Sequence, residues 1–264
     1  MDAIPYCGRP PVPGALAERW NFDPVAITAL AAVVVLYALA HREPARGWRK
    51  RSAFASGWCV VAIGVISPLC ALAVALFSAR MAQHLLLVLV AAPLLVYGHL
   101  DTVLGRSGFG YRAKRASPAA PLAAGLAFAA CWWFWHAPGP YDAALHSTSL
   151  YASMQVTLLA SAFGLWRVLV RRAGFGSLVI GLATAVHMGL LGALLTFAPE
   201  PLHVSHLTTT SLWGLSALED QQLAGLLCWV PGCGVFLLTG LATAASWLAE
   251  DSNAISRNRL QEAQ

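Results

Sequence analysis

The chain has 264 residues, of which 58% are hydrophobic and only 11% charged, with a mean hydropathy of +0.63. Soluble domains carry about 25% charged residues, so composition excludes an ordinary water-soluble fold and points to a lipid environment. The formal charge of +5 does not signal nucleic acid, because the basic residues sit in short loops and not in a stripe interleaved with aromatics.

Met1 to Pro13 lack a basic stretch followed by an apolar run, so no cleavable leader is expected there. A spanning helix needs roughly 20 mostly apolar residues. Seven segments meet that length, at about 24–41, 54–76, 80–100, 119–136, 150–170, 175–198 and 218–249. They predict an all-α, single-domain bundle of seven transmembrane helices. The last is long and holds Pro231, Gly232 and Gly234, which predict a kink or strong tilt.

Loop charge sets the expected orientation. Arg42, Arg46, Arg49, Lys50 and Arg51 follow the first segment, and Arg106, Arg112, Lys114 and Arg115 follow the third. Arg167, Arg171 and Arg172 mark the end of the fifth, and Arg257 and Arg259 lie in the tail. That places 14 of the 17 basic residues on one side, leaving Arg9, Arg19 and Arg80 on the other. Positive loops face the cytoplasm, so the N-terminus is expected outside and the C-terminus inside.

Polar residues are costly within a bilayer and mark function; here they gather toward the outer side. Met81 and His84 share one helix face at i,i+3 spacing. His136 ends the fourth segment and His146 lies in the loop beyond. Met154 and Gln155 open the fifth segment, and His187 and Met188 lie within the sixth. Glu219, Asp220, Gln221 and Gln222 begin the seventh. Imidazole with thioether suits copper, Met favouring the reduced ion. The candidate metal residues are therefore Met81, His84, His136, His146, Met154, His187, Met188 and Asp220.

Depth separates two of them, since His84 is about 6 Å and His187 about 16 Å below the outer helix ends at 1.5 Å per residue. The bland readings are a helix-pairing role for His187, packing roles for the methionines, and exposed loop positions for His203 and His206. Asp220 alternatively serves as an N-terminal dipole partner. Trp132, Trp133 and Trp135 read as an interfacial belt, and Gly181, Ala185 and Gly189 as a close-packing stripe. The six cysteines show no metal-type spacing, and no disulfide framework is expected. Hydrolase, kinase and dinucleotide motifs are absent from the sequence, so an enzyme is not expected.

Several blocks carry a family resemblance. They are Ser67-Pro68-Leu69, Leu76 to His84, Ala91-Ala92-Pro93-Leu94-Leu95, Trp135-His136-Ala137-Pro138-Gly139 and Tyr141 to His146. Thr196-Phe197-Ala198-Pro199, Trp213-Gly214-Leu215-Ser216, Leu218 to Gly225 and Trp229-Val230-Pro231-Gly232 complete the set. Together they resemble the CtaG family of caa3-type cytochrome c oxidase assembly factors, the seven-helix family and not the single-span copper chaperone of that name. The resemblance implies a bacterial plasma-membrane protein that helps mature a haem–copper oxidase through copper delivery. Its implied partners are oxidase subunits within the lipid bilayer, with self-association left open. By motif it points to Met81, Gln83, His84, His136, His146, His187, Asp220, Gln221 and Gln222. The sequence departs from the family pattern at Arg80, where members carry His. It departs again at Tyr151–Gln155, where members carry a His-rich Glu-His block. An Arg facing the site would repel a cation.

Overall fold

The computed structural model describes residues 5–41, 47–106, 119–171 and 174–262, with the backbone path alone for 104–106 and 250–262. The basic residues Arg42, Arg46, Arg112, Lys114, Arg115 and Arg172 lie outside the described residues. Every described element is helical. Asp23 caps α1 (Pro24–Ala40) by accepting from the Val25 amide at 2.9 Å, with Pro24 supplying a preset first turn. The chain then forms α2 (Trp48–Ile66) and α3 (Pro68–Ala75).

The sequence suggests one segment over 54–76, but α2 and α3 meet at a 52° bend. The reason is local: Pro68 cannot donate to the helix before it, and Ser67 turns outward to cap α3 through the Leu69 amide at 3.2 Å. After a reversal at Leu76, α4 runs from Phe77 to Tyr97. Its middle, Leu86–Ala91, widens into a π-helical turn just ahead of Pro93, whose ring would otherwise strike the preceding turn. The Val88 carbonyl there accepts from the Trp166 indole at 2.7 Å.

Further along come α5 (Leu100–Arg106), α6 (Ala120–His136), the short α7 (Pro138–Leu145), α8 (Thr148–Arg171) and α9 (Phe175–Phe197). The last, α10, spans Ala217–Ala249 and contains a second π-helical turn at Cys228–Cys233 around Pro231. The irregularity expected at Pro231 and Gly232 therefore takes this form.

Among the described residues, α4, α8, α9 and α10 are long and apolar enough to cross a membrane, and α2 with α3 makes a fifth span if the bent pair is one. The segments expected at 24–41 and 119–136 are the 17-residue helices α1 and α6. At 1.5 Å per residue each is about 25 Å long, against an apolar bilayer core of about 30 Å. The outward faces of the rods remain apolar. Leu122, Leu126 and Phe134 are exposed on α6, Val186, Leu190 and Leu194 on α9, and Leu238 and Leu241 on α10. Rows of this length would drive aggregation in water and suit a lipid surround. This is a membrane-type bundle.

Of the four long apolar helices among the described residues, α4 is the most enclosed, with 67% of its apolar stretch buried, and it touches α2, α8 and the start of α10. Small residues set the closest approach of α9 and α10. A Cβ on Gly225 would strike the Thr196 side chain and lie 2.7 Å from the Gly192 carbonyl. One on Gly192 would lie 2.8 Å from the Gly225 carbonyl and Trp229 amide. The stripe expected from sequence is looser, with Gly181 meeting Gly240 at 3.5 Å and Gly189 meeting Cys233 at 3.7 Å.

One expectation is overturned outright. Cys7 and Cys70 form a disulfide across 63 residues, tying the N-terminal segment to α3. The same segment is held by Tyr6, which stacks on Tyr151 at 4.7 Å and donates to Asp23 at 2.5 Å, and by the Asn21 amide, which donates to the Ile66 carbonyl at 2.8 Å. A loop of this size makes the crosslink worth about 2–4 kcal/mol. Cys7→Ser is therefore expected to lower thermal stability, and dithiothreitol to lower that of the wild type alone. Equal response of both proteins to the reductant in a thermal melt would refute the assignment.

Candidate functional site

The polar interior begins where α4 begins. Asp220 on α10 reaches across and accepts from the amides of Phe77 (2.6 Å) and Ser78 (3.1 Å), and from the Ser78 hydroxyl. Its carboxylate is thus the N-terminal cap of a neighbouring helix, an anion placed on the positive end of the α4 dipole. Expected among metal ligands, Asp220 has its oxygens taken up by α4. The rest of the Glu-Asp-Gln-Gln block is also architectural. Glu219 and Ser216 form a capping box on α10, through bonds of 2.8 and 3.2 Å. Gln221 accepts from the Leu202 amide at 2.6 Å and donates to the Leu195 carbonyl at 3.2 Å, pinning the loop after α9. Gln222 is half-buried.

One turn into α4, Met81 and His84 are both fully buried. His84 Nδ1 lies 3.3 Å from Nε2 of His136 at the end of α6, their rings nearly perpendicular at 89°. The His136 Nδ1–H donates to the Trp132 carbonyl at 2.7 Å, which leaves its Nε2 lone pair aimed at His84. The Trp132 ring packs 4.2 Å from His136 and is fully buried, as is nearly all of Trp135, whose indole donates to Thr157. Trp132 thus walls the site, Trp135 packs toward α8, and neither forms a lipid-facing belt. Burial also leaves His84 Nε2 without a hydrogen-bond partner.

The other candidates lie elsewhere. His146 is exposed and turned back on the Asp142 carbonyl at 2.7 Å. His187 packs 5.8 Å from Phe128, with both ring nitrogens unpartnered. Met188 is buried, and its methyl fills the space over Gly232. Met154 is buried on α8. Among the described residues no three His, Cys, Asp or Glu side chains converge as a metal site.

His203 and His206, read as loop residues open to solvent, are only 2% exposed. The turn Val204–His206 folds inward, so they roof the site. His203 donates from Nε2 to the His136 carbonyl at 3.2 Å and packs 4.2 Å from Phe77. The Tyr141 hydroxyl donates to His206 Nε2 at 2.7 Å, and His206 Nδ1–H points at the Ala75 carbonyl at 3.3 Å. Burial pushes the His206 imidazole down to about 3 and keeps it neutral, so its Nε2 is free to accept. Burial likewise raises the Tyr141 phenol, which stays protonated to donate.

Beneath the disulfide runs a second network. Gln83 donates to the Gly64 carbonyl and to the Tyr151 hydroxyl (3.2 Å), and its Oε1 accepts from Arg80 Nη1 at 3.0 Å. The Tyr151 hydroxyl also receives Gln155 Nε2 at 2.8 Å and lies 3.5 Å from Cys70 Sγ. Sequence gives little warning of this. Capping boxes are readable from Ser-x-x-Glu, but a cap supplied by a different helix and a disulfide across 63 residues require the fold.

An apolar helical bundle with a closed, histidine-bearing interior at one end is the architecture of a membrane protein. The chain belongs to the cytochrome c oxidase caa3 assembly factor family (Caa3_CtaG), whose model matches residues 33–250. No curated protein and no solved structure matches the chain. Membership makes it an assembly factor for a caa3-type oxidase and implies oxidase subunits as its partners.

Proposed function

We propose that the protein is a seven-span, non-enzymatic factor of the bacterial plasma membrane that passes reduced copper to a haem–copper oxidase at its outer face. In this topology α1 and α6 also span, and the N-terminus lies outside. The Cys7–Cys70 disulfide supports that orientation, since such bonds persist on the oxidising side of a membrane. The clustered basic residues of the loops expected to face inward support it too.

The observation that carries the copper reading is the His84–His136 pair. The Trp132 carbonyl fixes the His136 ring as outer partners fix metal-binding histidines, leaving a lone pair directed into a closed, dry interior. Neutral imidazoles with the soft Met81 thioether one turn away suit copper(I), which is the cargo and not a resident cofactor. His146, His187, Met154, Met188 and Asp220 take no part in this set. Handing the ion on to an oxidase subunit needs binding that is firm but reversible, and a site of few ligands favours release to a fuller ligand set.

The test is an oxidase difference spectrum in a strain lacking the gene. The wild-type copy is expected to restore the oxidase signal. His84→Ala is expected to leave it reduced at least about tenfold, a loss of some 1.4 kcal/mol or more in transfer, with partial rescue by added copper. A second reading, a scaffold that holds oxidase subunits without metal, is favoured by the charge of Arg80, which acts on His84. Under it, His84→Ala would restore the signal fully.

A further inference from the structure

Among the described residues, Arg80 stands in the polar interior with its charge unanswered. It lies in the first turn of α4 with no exposed surface. Nη1 is satisfied by Gln83, and the guanidinium sits 5.1 Å from the centre of the Tyr151 ring. Nε and Nη2 are both buried without a hydrogen-bond partner; the Tyr141 hydroxyl lies beside the guanidinium but gives no well-directed bond. Among the described residues the ion pairs are those of Arg167 and Arg171 with Asp101, at the other end of the bundle. Asp220, the buried carboxylate that caps the same helix, has its oxygens on Phe77 and Ser78. An uncompensated buried charge is expensive, and a cation–π contact offsets only about 1–2 kcal/mol of that cost.

The identity of the two orphaned nitrogens selects the ligand. Nε and Nη2 share one edge of the planar guanidinium, and their N–H bonds point the same way. That edge matches the two oxygens of a carboxylate through parallel bonds. A spherical halide cannot meet both donors head-on, and water would satisfy them without answering the charge. Two groups already flank the guanidinium and leave that edge unmet: the face of Tyr151, over which it lies, and the Tyr141 hydroxyl, whose proton goes to neutral His206. The Tyr6–Cys7 segment and the Val204–His206 turn close the outer side, so a bulky ligand is excluded.

We propose that Arg80 is the anchor of a buried binding site for a small free carboxylate, of the size of formate or acetate. The site is separate from copper handling and stands or falls without it. Its test uses the purified full chain in nanodiscs, comparing sodium formate, sodium acetate and sodium chloride at equal ionic strength. Formate and acetate are expected to raise the melting temperature by about 3 °C over chloride, and equilibrium dialysis with labelled formate to retain about one anion per chain. Arg80→Lys keeps the charge but loses the planar edge. It is expected to melt equally in all three salts and to retain at least tenfold less label. A wild type that melts equally in the three salts and retains no label overturns the proposal, as does an Arg80→Lys protein that binds formate like the wild type.

Discussion

Replacing Asp220 with Ala is expected to destabilise the bundle by about 3 kcal/mol, one of the largest effects of any single polar substitution in it. Three donors converge on this carboxylate: the Phe77 amide, the Ser78 amide and the Ser78 hydroxyl. Alanine would strand them in an interior where Asp220 and Met81 have no exposed surface, and stranded donors cost more than made bonds return. Asp220→Asn keeps one acceptor oxygen and is expected to lose about half as much. Equilibrium unfolding in mixed detergent measures both, and hydrogen exchange at Phe77 and Ser78 should rise in step. The substitution also separates a structural from a ligating role. If Asp220 held metal, Asp220→Asn would lower copper retention while leaving exchange at Phe77 unchanged.

Gly225→Leu should be at least as damaging, costing about 3 kcal/mol or more through overpacking between α9 and α10. The first added carbon already meets Thr196 and the Gly192 carbonyl, both fixed by helix geometry. Gly181→Ala, placed in the stripe apparent from sequence, meets Gly240 at 3.5 Å, an ordinary contact. It is expected to change stability by less than about 1 kcal/mol. Thermal melts of the two variants side by side check the ranking, and a Gly181 variant as unstable as Gly225→Leu would reverse it.

What sequence reveals here follows from which signals are local. Apolar length and charged loops locate the rods, and α8, α9 and α10 lie within a few residues of their expected bounds. The bend at Ser67–Pro68 is written in the sequence as a cap followed by a helix-breaking residue, but an apolar window runs straight over it. Spacing puts Met81 and His84 on one face of α4, yet it cannot say that His136 would meet them from α6. Hydrophilicity misled at His203 and His206, where a loop folds inward and buries imidazoles that find the His136 and Ala75 carbonyls. The same limit hid the Cys7–Cys70 bond and made Asp220 resemble a ligand. In each case the partner is remote in sequence, and only the packed bundle sets the distance.

The central claim is that a two-histidine site carries copper for oxidase assembly, and the most direct measurement is metal content. Purified protein loaded with copper(I) under reducing conditions, freed of excess ion and analysed by mass spectrometry, is expected to hold about one copper per chain. His84→Ala and His136→Ala are each expected to hold at least tenfold less, while His146→Ala and Asp220→Asn match the wild type. Copper no higher in the wild type than in the His84→Ala, His136→Ala double variant would contradict the account.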